Sequence, residues 1–179
     1  MLPNFKFYFW NEKNFSVGKD PYIALAYKTG NYAFVSDAVR LNTLYKFGGI
    51  YLDLDIELLK PLTPLLDHTC FLGFQSKNHT SDWVNNAILG SIAQHQFLLD
   101  VRNQAVSEFI KQGRFIRSPE ATTDVLLKYG LKNYGKQTVN SVTVFEKEAF
   151  YPVSYKQNYH QNLITDRSFC IHHWQGSWL

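Results

Sequence analysis

Ten residues, Gly48-Gly49-Ile50-Tyr51-Leu52-Asp53-Leu54-Asp55-Ile56-Glu57, constrain this chain more than any other stretch. The glycine pair stops a preceding helix, and the run after it alternates as a strand does. Ile50, Leu52, Leu54 and Ile56 then share one face, while Tyr51, Asp53, Asp55 and Glu57 share the other. Three carboxylates on one side of a short strand repel each other, most strongly where an apolar sheet weakens screening. A hard divalent cation relieves that repulsion, because Mg²⁺, Mn²⁺ and Ca²⁺ take oxygen ligands. A solvated polar face on an edge strand relieves it as well. Apolar runs on both sides and a glycine-capped helix before it favour an internal strand, and on these residues alone the cation and the solvated face both stay open.

The helix before the glycines is legible over Tyr32–Phe47, where Phe34, Ala38, Leu41 and Tyr45 form one apolar stripe. Upstream, Phe5–Trp10 reads as a buried aromatic strand, Asp20-Pro21 as a helix start, and Gly30-Asn31 as a break. Downstream, Lys60-Pro61 and Pro64 end the acidic strand, and Phe71–Phe74 is a further short strand. A helix is expected from Asp82 or Asn85 through Ala87, Ile88 and Leu89, a second over Gln96–Lys111, and a third over Thr122–Tyr129, stopped by Gly130. Val142–Phe145 and Phe169–Ile171 complete the strands. Strands interleaved with helices define an α/β fold, and with no repeat or linker residues 1–179 are expected to form a single domain.

Composition removes several function classes. A content of 45% hydrophobic and 16% aromatic residues suits a packed globule, not a disordered chain. The 18 basic and 15 acidic residues are scattered, so no basic stripe marks a nucleic-acid partner. No run is long enough to span a membrane and no signal peptide precedes Asn4-Phe5-Lys6, so a cytoplasmic location is expected. Cys70 and Cys170 fit no metal pattern and read as two free thiols. The rich aromatic content has a core-packing explanation and is also compatible with carbohydrate binding.

Two further groups join the acidic run. Asp37 and Arg40 are three residues apart on one helix face, either as a surface ion pair or with Arg40 bracing Asp37 or reaching a ligand's phosphates. The ending His172-His173-Trp174-Gln175-Gly176-Ser177-Trp178 offers a metal-ligating imidazole or a packed terminal segment. Adjacent histidines on a strand face opposite ways, so only one of them joins a given site. His68, His79, His95 and His160 stand in no ligand-like spacing.

Ser36-Asp37-Ala38-Val39-Arg40, Leu44-Tyr45 and the Gly48–Asp55 run, in that order, resemble the DXD region of glycosyltransferase family 32. The ending from Ile171 to Trp178 resembles that family's closing His-x-x-x-x-Ser-Trp motif, and Asn86-Ala87-Ile88-Leu89-Gly90 its donor-side asparagine segment. The resemblance implies a GT-A-like fold, a Rossmann-like mixed sheet flanked by helices. It implies a UDP- or GDP-sugar donor, a Mn²⁺ or Mg²⁺ ion, and a carbohydrate acceptor, with any membrane contact made at the inner face through a lipid-linked acceptor. Carried over by position, Asp55, Asp53 and His172 would hold the metal. Asp37, Arg40, Tyr51, Asp53, Asn86, Ser177 and Trp178 would hold the donor. The implied activity is retaining transfer in surface polysaccharide synthesis, with no protein nucleophile or base assigned.

Family members open with an Ile-Pro-Lys-x-Ile-His-x-x-Trp-like strand, whereas Met1 here falls just before what resembles their second strand, Phe5–Trp10. An N-terminally shortened fold with an incomplete base-binding wall is therefore expected. That leaves a catalytically degenerate nucleotide-sugar-binding module as the alternative to an active enzyme. A calcium-binding carbohydrate-recognition domain would explain the carboxylates and aromatics, but not the Ser-Asp-x-x-Arg helix or the closing motif.

Overall fold

A computed structural model describes residues 5–155 and 157–175. Helix α1 spans Pro21–Lys28, and the Asp20 carboxylate caps it by accepting from the N–H groups of Tyr22 (3.0 Å) and Ile23 (3.3 Å). Gly30, at φ +74°, separates it from α2, Tyr32–Phe47. Strands β1 (Gly49–Leu52) and β2 (Ile56–Leu58) follow, then β3 (Cys70–Phe74) and β4 (Val84–Ser91). Helices α3 (Gln96–Gln112) and α4 (Ser118–Lys128) precede β5 (Gln137–Val139), β6 (Val142–Phe145), the one-turn α5 (Lys147–Phe150) and β7 (Cys170–His172).

Five strands form a mixed sheet in the order β1-β4-β3-β6-β5, in which only β3 and β6 run parallel. β2 and β7 make a separate antiparallel ribbon that sets Ile56 opposite His172. Period-two alternation divides the apolar side chains between two cores. Leu72, Phe74, Val142 and Val144 pack with Leu41, Leu44, Phe97, Val101 and Leu126 beneath α2, α3 and α4. Phe71, Ile88 and Phe145 pack with Phe150, Tyr151 and Cys170 under α5 and the ribbon. Helices over a mixed sheet give the expected α/β, GT-A-like architecture. No helix among the described residues is long and apolar enough to cross a membrane. Cys70 and Cys170 are buried free thiols.

Four expectations need correction. Residues 85–89 belong to β4, not to a helix. All eight β4 positions are buried, and a strand covered on both faces carries no alternation to distinguish it from a buried helix. Phe5–Trp10 forms no strand and is not buried; Phe7, Tyr8 and Phe9 are exposed, and Tyr8, Trp10 and Phe47 stack on one another instead. α4 begins at Ser118, four residues before Thr122, because Pro119 is accepted in a first helical turn.

The acidic stretch is also not one internal strand. β1 lies at the sheet edge, and the chain turns at Asp53–Ile56, where the Ile56 N–H donates to the Asp53 carbonyl at 3.1 Å. Ile50, Leu52 and Ile56 still pack into one core, but Leu54 at the tip is 98% exposed. The turn leaves the acidic side chains in an open cleft.

Candidate functional site

The site is assembled by the stop of α2. Gly48 has φ +67° and ψ −168°, a combination that glycine alone adopts readily, and a Cβ there would lie 2.8 Å from the Ala93 nitrogen. The chain turns back at once, β1 pairs with β4, and the Asp53 N–H donates to the Ala87 carbonyl at 2.8 Å. This sets the last residue of the β1 run beside the α2 face that carries Asp37 and Arg40.

Arg40 is the hub, buried to 6% exposure. Its Nη2 meets Asp37 at 2.9 Å and Asp53 at 3.0 Å, so the pair inferred from spacing is part of a triad in which two half-buried carboxylates hold a buried guanidinium, not a surface ion pair. Its Nη1 donates to the Asn86 carbonyl (3.0 Å) and Oδ1 (3.1 Å). The Asn86 amide in turn donates to Ser118 Oγ (2.6 Å) and Thr122 Oγ1 (3.0 Å). The Arg40 guanidinium stacks 4.4 Å from the Tyr51 ring centre, and the Tyr51 hydroxyl donates to Asp53 at 2.7 Å. Burial, opposed by Arg40, raises the Asp37 carboxyl to about 6. Burial also raises the Tyr51 phenol to about 12, so it stays a donor toward Asp53.

β2 and β7 bring the distant C-terminal segment onto Asp55. The buried His172 places Nε2 3.1 Å from Asp55 Oδ1, while the exposed His173 turns away to Glu57 at 2.8 Å. Opposed adjacent histidines are what strand geometry requires. The His173 and Gln175 N–H groups donate to the Asp55 carbonyl (3.0 Å) and Oδ2 (2.9 Å), holding the carboxylate from behind. The Trp174 ring lies 4.1 Å from the His172 ring and donates Nε1–H to the Val153 carbonyl at 2.8 Å.

Asp53, Asp55 and His172 each present a ligating atom within 4.8 Å of the others. Two carboxylates and an imidazole form a donor set that suits a divalent cation. Burial pushes the His172 pKa down against the pull of Asp55, so the ring is neutral at pH 7 and keeps a lone pair. Among the described residues its Nδ1 is buried without a partner, and such an atom is costly unless something binds it. Asp37 and Asp53 pair with the Arg40 guanidinium, whereas Asp55 meets a neutral imidazole, leaving a negative charge there that a cation offsets. These residues fit a metal.

The triad and the cluster line one open cleft of about 1550 Å³, which also takes in Tyr51, Asn86, Ser118, Trp174, Gln75, Lys77, Asn85 and Glu148. Of the residues singled out in sequence, Asp37, Arg40, Tyr51, Asp53, Asp55, Asn86 and His172 thus converge. Ser177 and Trp178 lie outside the described residues. Sequence reasoning missed Ser118, whose backbone N–H meets Asp37, and Trp174. The Ser118-Pro119 pair was the available signal for the first, since it marks the start of α4.

Residues 2–72 match the family described as "Glycosyltransferase sugar-binding region containing DXD motif". The chain is 28% identical to human alpha-1,4-N-acetylglucosaminyltransferase over 143 residues, 76% of this chain and 39% of the relative. It is 30% identical to mouse lactosylceramide 4-alpha-galactosyltransferase over 151 residues, 78% of this chain and 40% of the relative. It is 30% identical to inositol phosphoceramide mannosyltransferase 3 of Schizosaccharomyces pombe over 103 residues, 55% and 28% of the two chains. The chain therefore spans about two-fifths of the length of the first curated relatives it matches. No solved structure matches it.

Proposed function

We propose, from the match of residues 2–72 to the DXD-containing glycosyltransferase sugar-binding region, that this chain transfers a sugar from a nucleoside-diphosphate sugar to a carbohydrate hydroxyl. The observation that carries the reading is the convergence of Asp53, Asp55 and His172 beside the Asp37–Arg40–Asp53 triad. Asp53, Asp55 and His172 would hold Mn²⁺ or Mg²⁺. When bound, the cation stabilises negative charge on the departing diphosphate.

The chain's own residues do the rest. Arg40 has both terminal nitrogens committed to Asp37, Asp53 and Asn86, so it fixes the carboxylates and adds a preorganised positive charge beside the leaving group. Asp37, Tyr51 and Asn86 frame the donor on the α2 and β4 side, with Ser177 and Trp178 as further donor contacts. The carboxylates nearest the metal position are all paired, which supports retaining transfer in which the leaving phosphate takes the acceptor's proton. Two relatives are named for lactosylceramide and inositol phosphoceramide, which supports a lipid-linked acceptor met at a membrane surface. Surface polysaccharide synthesis at the cytoplasmic face is the setting we propose, with residues 1–179 acting as one catalytic unit.

The test is nucleoside-diphosphate release from a panel of UDP- and GDP-sugars, with Mn²⁺ and glycoside acceptors present. The reading expects release from at least one donor and its abolition by EDTA. Donor binding without release from any of them would indicate a binding module instead. Release unaffected by EDTA would overturn the metal assignment.

A further inference from the structure

The cleft extends well beyond the metal cluster and the Arg40 triad. Pockets for small-molecule ligands occupy about 300–1,000 Å³, and this one measures about 1550 Å³. Its remaining wall has a different chemistry from the metal cluster. Glu148, on α5, meets the Lys77 ammonium at 2.6 Å and accepts from the Tyr134 hydroxyl at 2.8 Å. The Asn85 amide donates to Gln75 Oε1 at 2.7 Å, and Asn85 Oδ1 accepts from the Ala87 N–H at 2.7 Å.

We propose that Gln75, Lys77, Asn85 and Glu148 form the acceptor subsite, which binds the hydroxyl groups of a neutral sugar residue. The inference rests on the transferase reading and deepens it. A sugar hydroxyl both donates and accepts, and vicinal hydroxyls fit a wall that alternates the two roles. Glu148 and the Gln75 and Asn85 carbonyls accept, while Lys77 and the amide nitrogens donate. The Lys77 side chain is 63% exposed and that of Glu148 only 17%, so the pair sets an exposed cation over a more enclosed anion in the cleft wall. Paired charges of opposite sign suit a neutral ligand better than a second phosphate. Burial works to raise the Glu148 carboxyl, but hydrogen bonds from Lys77, its own backbone N–H and Tyr134 bring it down to about 2. It therefore remains an acceptor and makes a poor base.

The position is appropriate. Asn85 and Asn86 point to opposite faces of β4, yet both line the cleft. Glu148 and Asn85 line the same cleft as His172, whose ring lies 5.9 Å from that of Tyr151, just past the end of α5.

Saturation-transfer NMR with methyl galactoside, glucoside, mannoside and N-acetylglucosaminide tests the subsite. Thermal shift with Mn²⁺ and UDP or GDP reports the donor side independently. The proposal expects saturation of at least one glycoside by the wild-type protein and at least a tenfold weaker interaction in Glu148→Gln and Lys77→Ala. The Mn²⁺-nucleotide shift should persist in both variants. Lys77 is surface-exposed, so Lys77→Ala carries the test if Glu148→Gln fails to fold. No saturation of any glycoside by the wild type, or equal saturation in both variants, overturns the subsite. Absence of a Mn²⁺-nucleotide shift in the wild type overturns the donor reading instead, a separate result.

Discussion

Arg40 satisfies four acceptors with two nitrogens, and that geometry decides what it can be replaced by. A lysine keeps the charge but loses the planar fork, so it cannot hold Asn86 and both carboxylates together. Breaking a buried ion network costs about 3–5 kcal/mol when a partner is left uncompensated. Arg40→Lys is therefore expected to lower the melting temperature and to weaken Mn²⁺ binding about 10–100-fold, the usual penalty for losing a group that orients a metal ligand. Calorimetric Mn²⁺ titration beside a thermal melt checks both. A lower melting temperature with full Mn²⁺ affinity would make Arg40 structural only. At this scale the sequence was informative where contacts are local. Asp37 and Arg40 follow from helical spacing, and opposed histidines follow from strand alternation. Arg40's contact with Asn86 was not readable, because it joins residues 46 apart through a strand that carries no periodic signature.

The helix–glycine–turn unit is the element on which the site depends. α2 ended where its sequence pattern ended, and Gly48 acts there as both stop and close contact. A side chain at Gly48 faces an unfavourable φ and ψ, costing about 1–3 kcal/mol, and a clash with the backbone at Ala93. Gly48→Ala should lower the melting temperature by about 5–10 °C, since each kcal/mol moves a domain of this size by about 2–4 °C. A melt within about 1 °C of wild type would show that the turn relaxes freely. The acidic run itself was half legible. Ile50, Leu52 and Ile56 kept their shared face, whereas Leu54 left it because the Asp53–Ile56 turn interrupts the strand. Alternation in sequence does not register such a turn when the residues on either side of it still point inward. β4 was misread for the converse reason, being buried on both faces.

Across the whole molecule, the site exists because two distant segments meet. The β2–β7 ribbon delivers His172 to Asp55, and the sheet edge delivers Asp53 to Arg40. The mixed α/β class was apparent from interleaved elements, but the strand order and the separate ribbon come from long-range pairing that no local pattern encodes. The central proposal is that this junction would hold a divalent cation together with a nucleoside diphosphate. Isothermal titration of UDP and GDP into the wild-type protein and Asp55→Asn, each with and without Mn²⁺, tests it most directly. The account predicts binding of at least one nucleotide by the wild type with Mn²⁺ present, and none without the ion or in Asp55→Asn. Equal affinity with and without Mn²⁺, or in Asp55→Asn and wild type, would contradict it.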